Sequence, residues 1–172
     1  EEANQIILDI CKSHGAKSVT KGKSRVAEEI GLNDVLAAQG IQPVETDLGD
    51  NIIQLRHEMP AHITAPAVHL TQNQLEADFR RTHDALPAVR DLSEPTALLA
   101  EARGILREKF LSADIGITGA NFLVAETGTS IIVTNEGNGD LTQTLPPVHI
   151  VIASIEKIVP TLEDVSQLLR VL

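Results

Sequence analysis

Two glutamates lie in polar, glycine-containing turns of segment 114–149, which alternates such turns with short apolar runs. Glu126 begins the sequence ETGT, and Glu136 lies within NEGNG. Each carboxylate could act as a base, a nucleophile or a hydrogen-bond acceptor. Glycines in such turns let backbone N–H groups approach a ligand closely. We therefore expect these turns to supply pocket residues, namely Thr127, Gly128, Thr129, Asn135, Gly137 and Asn138.

The alternative interpretation of NEGNG is a hairpin turn, because Asn138–Gly139 is a favoured turn pair. This alternative is weaker for ETGT. A second polar glycine turn so close in sequence is hard to explain by turn chemistry alone.

The sequence KGKS at 21–24 runs from a predicted strand into a predicted helix. Backbone N–H groups at a helix N-terminus attract anions, and Lys23 adds a positive charge. The motif is not a P-loop, because it lacks the upstream glycine and the required spacing. Lys23 and Ser24 are candidate anion-binding residues. The alternative is an ordinary N-cap beside solvated lysines.

The histidines do not predict a metal site. His57 and His62 are five residues apart with Pro60 between them, which excludes the helical zinc motif. The alternative is a metal site formed by His62, His69 and His149 if they converge in space; it is less favoured, because single histidines near strand ends are more often packed or hydrogen-bonded than metal-bound. Cys11 lies on the apolar side of a helix and is expected to be a buried, inert thiol. The sequence has no nucleophile-elbow motif and no dinucleotide fingerprint.

The composition excludes several classes of partner. A chain of 172 residues with 42% hydrophobic residues fits one folded domain. A net charge of −10 and only 2% aromatic residues argue against nucleic acid and anionic membranes. The sequence contains no apolar run long enough for a transmembrane segment and no visible signal peptide. With one cysteine, the chain is predicted to be cytoplasmic.

Helical and strand patterns alternate along the chain, which predicts an α/β fold with a mainly parallel sheet flanked by helices. The predicted helices are 4–13, 24–39, 71–82 and 95–110, with a last helix starting at Thr161. The predicted strands are 18–21, 43–48, 62–65, 115–118, 130–134 and 149–153, and segment 126–138 is predicted to be antiparallel.

Ligands of such sheets bind beyond the carboxyl ends of the strands. The loops 21–24, 47–50, 66–69 and 119–121 each follow a predicted strand and are expected to share one rim. The remaining candidate ligand-binding residues lie at this rim, namely His69, Thr118, Gly119 and His149.

Several of these segments together resemble the lactate utilization (LUD) domain family, specifically its B type, which is an iron–sulfur subunit of a bacterial L-lactate oxidising system. They cover most of the chain and read KGKSRVAEEIGLN (21–33), GIQPVETDLGDNIIQL (40–55), HITAPAVH (62–69), ADIGITGANFLVAETGTSIIVTNEGNG (113–139) and TLPPVHIVIASIEKIVPTLED (144–164). The resemblance implies a fold similar to the ribose-phosphate isomerase, CoA-transferase and formyltetrahydrofolate cycloligase group, whose members bind anionic or acyl ligands at strand ends.

The resemblance also implies cofactors and partners. Members of the B type continue into a ferredoxin-like domain with 4Fe-4S clusters and work beside other subunits of the lactate oxidation system. The present chain is then a single LUD domain, a fragment without the cluster cysteines, and no electron transfer is expected of it alone. No cofactor is expected within these 172 residues, and a small anionic ligand is expected at the rim.

Three functional hypotheses follow. The first is a domain of an electron-transfer subunit for L-lactate oxidation to pyruvate. The second is a CoA-transferase-like or cycloligase-like enzyme that uses a glutamate in a glycine-rich turn, with Glu136 in the more comparable setting. The third is a docking module without chemistry.

Overall fold

The computed structural model describes residues 1–62 and 65–171, which form two sheets surrounded by helices. The larger sheet has four parallel strands, in the spatial order β2 (Gln42–Glu45), β1 (Ser18–Lys21), β3 (Ile115–Thr118) and β6 (Val148–Val151). In the smaller sheet, β4 (Phe122–Val124) is antiparallel to β5 (Thr129–Ile131) and parallel to β7 (Ile158–Val159). The α/β fold with a mainly parallel sheet is confirmed.

Eight α-helices connect or flank these strands within the described residues. In chain order they are α1 (Glu2–Ser13), α2 (Arg25–Glu29), α3 (Leu32–Ala38), α4 (Leu48–Arg56), α5 (Gln72–Thr82), α6 (Pro95–Ser112), α7 (Asn138–Thr144) and α8 (Leu162–Leu168), and a 3₁₀ helix spans Ile155–Lys157. None of the helices among the described residues is both long enough and apolar enough to cross a bilayer.

Helices cover both faces of the parallel sheet. Ile115 and Ile117 of β3 are fully buried in a core cluster with residues of α1, α2 and α3. Gly116 lies between them in the strand and therefore faces the opposite side, where α7 packs against it. On the α6 side, Val44 of β2 packs with Leu106 and Phe110. All four residues of β3 are buried, as expected for the interior strand of a covered sheet.

Two sequence predictions were wrong in the first half of the chain. The helix predicted over 24–39 is two helices, because Gly31 adopts a left-handed conformation (φ +62°) between α2 and α3. The strand predicted over 43–48 ends at Glu45, and α4 follows at once. Asp47 starts that helix, because its carboxylate accepts hydrogen bonds from the backbone N–H groups of Gly49 (3.0 Å) and Asp50 (3.3 Å).

The second half shows a further correction. Asn138–Gly139 is not a hairpin turn but the beginning of α7, which follows Gly137 in a left-handed conformation (φ +82°). The strand predicted over 130–134 is β5, shifted toward the N-terminus, and it is antiparallel as predicted. The predicted strand 62–65 includes residues 63 and 64, which lie outside the described residues.

Gly116 is the position where the sheet leaves no room for a side chain. A Cβ atom there would lie 1.8 Å from the carbonyl oxygen of Thr142 in α7. Because that neighbour is backbone, Gly116→Ala would push the whole helix away from β3. We expect this substitution to lower the free energy of unfolding by about 3 kcal/mol or more, measured by urea denaturation.

The matched control is Gly104→Ala in α6, where a Cβ atom would meet nothing within 4 Å among the described residues. There the better helix propensity of alanine is expected to raise the free energy of unfolding by about 1 kcal/mol. Equal effects of the two substitutions would contradict the close approach of α7 to β3.

Candidate functional site

A polar cavity of about 360 Å³ opens at the carboxyl ends of β1, β3 and β6. The chain runs from β1 to β2 on one side and later adds β3 on the other side of β1, so the cavity lies at a topological switch point of the sheet. Its wall comes from the three strand-end loops 22–24, 119–121 and 152–154, together with Arg25, Val26, Asp47, segment 132–136, Asn138, Gly139 and Lys157.

The loops after β1 and β3 approach each other closely at Gly119. A Cβ atom at this position would lie 3.4 Å from the hydroxyl oxygen of Ser24 and 3.5 Å from the carbonyl oxygen of Lys23. The Ser24 hydroxyl accepts a hydrogen bond from the backbone N–H of Ala27 (3.3 Å) and so caps α2. The ordinary N-cap interpretation of Ser24 is therefore correct, because its hydroxyl already accepts a hydrogen bond within α2.

Lys23 is not an ordinary solvated lysine. Its side chain is 32% exposed, and its ammonium nitrogen lies 3.8 Å from the carboxylate of Asp47 and 4.0 Å from that of Asp50. Asp47 and Asp50 belong to segment 47–50, which was expected as a loop at the same rim; in the structure Asp47 is the N-cap of α4 and Asp50 lies in its first turn. Lys23 thus brings a positive charge into the cavity beside carboxylates that limit its movement.

Asp50 is the carboxylate of this group whose ionised form is disfavoured by burial. The residue is buried, and its Oδ2 atom has no hydrogen-bond partner among the described residues. Burial, together with the charge of nearby Asp47, raises the pKa of Asp50 to about 6, although the charge of Lys23 opposes this rise. Asp50 therefore exchanges a proton close to neutral pH, within 4.0 Å of the Lys23 ammonium.

Beneath the cavity, a buried ion pair joins the last residues of β1 and β2. The Lys21 ammonium lies 2.7 Å from the Glu45 carboxylate, and both side chains are almost inaccessible to solvent. The Asn33 amide also donates a hydrogen bond to Glu45 (2.6 Å). Sequence reasoning missed this pair, although a lysine and a glutamate at the ends of apolar strands are a signal for it.

Glu136 and Asn138 form a partition between two cavities. Both residues, and also Asp47, line the polar cavity and a larger neighbouring groove of about 900 Å³. Asn135 lines the polar cavity, and Gly137 supplies the turn between Glu136 and α7. Of the two predicted glutamates, Glu136 is therefore the one at the strand-end cavity.

Thr118 and His149, two predicted site residues, lie on the neighbouring strands β3 and β6, outside the described lining of the polar cavity. The hydroxyl of Thr118 and the Nε2 atom of His149 are hydrogen-bonded at 2.8 Å. Thr118 is buried, and burial lowers the pKa of His149, which favours the neutral imidazole. The pair thus ties β3 to β6 just before their strand-end loops.

The other predicted site residues lie elsewhere. The carboxylate of Glu126 accepts a hydrogen bond from the backbone N–H of Leu162 (2.8 Å), at the start of α8. Thr127 and Gly128 lie in the exposed turn between β4 and β5, and Thr129 is the first residue of β5; all three are outside the described lining of the polar cavity. His69 is hydrogen-bonded to Glu58 (3.3 Å).

Sequence reasoning did not single out Lys157, Asn121 or Arg25 as wall residues of the cavity. Arg25 is paired with Glu28. The Asn121 side chain accepts a hydrogen bond from the backbone N–H of Val133 (2.8 Å) and so holds segment 132–136 against the strand-end loop. Among residues 1–62 and 65–171, no group of three or more histidine, cysteine or acidic side chains is arranged to hold a metal ion.

Asp50 makes the stability of the domain depend on pH. Because its pKa of about 6 in the folded state lies above the ordinary value of 3.8, its contribution to stability is complete at low pH and is lost as the pH rises through 6. An asparagine at this position cannot ionise, so Asp50→Asn does not lose stability as the pH rises through 6. We expect the variant to gain on the order of 2 to 3 kcal/mol over the wild type between pH 4 and pH 8, in urea denaturation.

Asp9→Asn is the control, because it removes the same charge from an exposed position on α1. Its stability difference from the wild type should change little between pH 4 and pH 8. A pH-independent difference for Asp50→Asn as well would show that Asp50 has an ordinary pKa.

Comparison with known proteins now places the chain. The model of the LUD domain family matches residues 1–172. Lactate utilization protein B of Bacillus subtilis (strain 168) is 44% identical, over 100% of this chain and 35% of the relative. The protein of the same name from Geobacillus kaustophilus is 45% identical, over 100% of this chain and 36% of the relative. An E. coli K12 relative called "Uncharacterized electron transport protein YkgF" is 44% identical, again over 100% of this chain and 35% of the relative.

The chain thus spans about a third of the length of the curated relatives it matches. No solved structure gives a significant match. A family model that covers the whole chain, together with relatives of this similarity, establishes that the chain belongs to the LUD domain family.

Proposed function

We propose that this LUD domain serves the oxidation of L-lactate to pyruvate, as one part of an iron–sulfur electron-transfer protein. The proposal is supported by relatives named lactate utilization protein B, which are 44–45% identical over the whole chain in the cases described above. The electron transport name of the E. coli relative supports the same role. The partners of this protein would be the other subunits of the lactate oxidation system, in the cytoplasm.

The clusters of such a protein would be bound outside these 172 residues. A 4Fe-4S cluster takes four cysteine thiolates, whereas this sequence contains only Cys11. Cys11 is fully buried in the core formed with α1, and burial raises the pKa of its thiol. The residues present therefore do not fit a cluster, and we look for the contribution of this domain among its own polar groups.

The chemistry of the strand-end cavity suits a small carboxylate. The observation that carries this proposal is the partly exposed Lys23 ammonium in a cavity made by three strand-end loops. A ligand carboxylate would pair with Lys23, and Lys157 adds a second positive charge to the wall. Asp47 and Glu136 line the same cavity and can accept a hydrogen bond from a ligand hydroxyl. L-lactate carries both groups, and pyruvate carries the carboxylate alone.

Lys23→Ala tests this assignment. We expect the substitution to weaken the binding of L-lactate about tenfold or more, because it removes a charge-assisted hydrogen bond. Isothermal titration calorimetry with L-lactate and pyruvate on the 172-residue chain measures the change. The control is Lys17→Ala, an exposed lysine just before the opposite, amino end of β1, which should leave the affinity unchanged.

Equal affinities of the wild type and Lys23→Ala would show that Lys23 does not bind the ligand. Absence of binding to the wild type, combined with a stable complex with the other subunits, would instead favour a docking module.

Acyl transfer is a second candidate function, favoured by the position of Glu136 between the polar cavity and the larger groove. In this reaction the carboxylate attacks a thioester carbonyl, and the thiolate leaves as an acyl–glutamate anhydride forms. If it occurs, intact-mass spectrometry after incubation with an acyl-CoA should detect an acyl adduct. The adduct should be absent from Glu136→Gln and unchanged in Glu126→Gln, whose side chain lies at the start of α8.

A further inference from the structure

The larger groove has no role in the lactate proposal. It measures about 900 Å³ and lies between α6, α7, the start of α4 with the two residues before it (46–49), and segment 65–68. Its described lining is mainly apolar and includes Leu99, Leu106, Phe110, Leu111, Leu141 and Leu145. Four of these leucines, at positions 99, 111, 141 and 145, are 41–58% exposed. The groove is therefore a concave apolar surface within the size range of small-molecule sites.

Two arginines give this apolar groove a positive edge. Arg103 and Arg107 both line it, one helical turn apart on α6. Among the described residues neither guanidinium has a carboxylate partner, whereas five of the six other arginines are paired, namely Arg25, Arg56, Arg80, Arg81 and Arg90. Two arginines that lack a carboxylate partner among the described residues, beside exposed leucines, are thus available to an anionic group of a ligand.

Gly104 is a third, independent indication. It lies inside the 18-residue helix α6, where glycine weakens the helix relative to alanine. Its φ is not in the left-handed region, and a Cβ atom there would meet nothing within 4 Å among the described residues. Neither backbone conformation nor packing within the described residues therefore calls for glycine. Gly104 does line the groove, and the missing side chain keeps the groove open beside the two arginines.

We propose that this groove binds a monomeric amphipathic carboxylate, such as a fatty acid, with its head group on Arg103 and Arg107 and its chain along the leucines. A guanidinium pairs with a carboxylate through two parallel hydrogen bonds, which suits this head group. The burial of a hydrocarbon chain against the exposed leucines supplies the hydrophobic part of the binding energy. The site is separate from Lys23 and does not depend on the lactate proposal.

A large protein surface is a less fitting occupant than a small molecule. Protein partners prefer broad interfaces with an apolar centre, whereas here the apolar residues line a concavity that also borders the polar cavity through Asp47, Glu136 and Asn138. A second copy of the chain carries the same net negative charge and would have to place an acidic group on the two arginines. That possibility is an outcome of the test.

The probes are decanoate and 1-decanol, which share a chain and differ in the charged head group. Titration calorimetry is run on the 172-residue chain and on three variants. Gly104→Leu fills the groove, and we expect at least a tenfold loss of affinity for both probes. The double variant Arg103→Gln/Arg107→Gln should lose at least tenfold in affinity for decanoate and little affinity for 1-decanol. Arg170→Gln removes another unpaired arginine, outside the described groove lining, and should change neither affinity.

Circular dichroism checks that each variant is folded, and L-lactate titration of Gly104→Leu checks that the strand-end cavity is unchanged. The proposal is overturned if the wild type does not bind decanoate, or if Gly104→Leu binds it as well as the wild type does. It is also overturned if sedimentation shows that the wild type is a dimer that Gly104→Leu converts to a monomer, because the groove would then be an interface between copies. Binding to anionic phospholipid vesicles without binding of monomeric decanoate would overturn it as well.

Discussion

The buried ion pair between Lys21 and Glu45 is the interaction on which the candidate site depends. The two residues are opposite each other in the parallel register of β1 and β2, at the ends from which the loops to Lys23 and Asp47 leave. Removal of either partner would leave a buried charge without compensation, which costs about 3–5 kcal/mol in comparable proteins. The pair therefore fixes which residues of the two loops face each other, and so brings the Lys23 ammonium to within 4 Å of Asp47 and Asp50.

The two cavities use charge in different ways. In the strand-end cavity, Lys23 is already close to two carboxylates, so a ligand must compete with Asp47 and Asp50 for the same ammonium. Below about pH 6 this competition weakens, because Asp50 is then protonated and no longer attracts Lys23. In the groove, Arg103 and Arg107 have no such internal competitor among the described residues. A ligand anion there would displace no ion pair of the two arginines, although the carboxylates of Asp47 and Glu136 line the same groove.

Parts of the site could be predicted because they follow from strand order. Segments 21–24, 47–50 and 119–121 lie at or just after the ends of β1, β2 and β3, and parallel strands bring such segments to one edge of the sheet. Lys23 and Gly119 were expected at this edge from strand order, and both line the cavity. Glu136, which also lines it, was chosen because it lies in a polar, glycine-containing turn. Glu126 and Thr127 to Thr129 were placed with them on local composition alone. Their turn belongs to the smaller sheet, where Glu126 holds the start of α8, and no local pattern distinguishes such a turn from a pocket loop.

The sequence by itself determined the α/β class, the parallel order implied by alternating elements, and the family, because periodicity, caps and motif residues are local properties of the chain. Only the tertiary structure decided that Asp50 is buried beside Lys23, that Glu136 and not Glu126 reaches the cavity, and that two unpaired arginines border an apolar groove. These facts depend on which surfaces meet across distant parts of the chain. The burial that raises the pKa of Asp50 and the shape of the groove both arise only when these distant parts of the chain pack against each other.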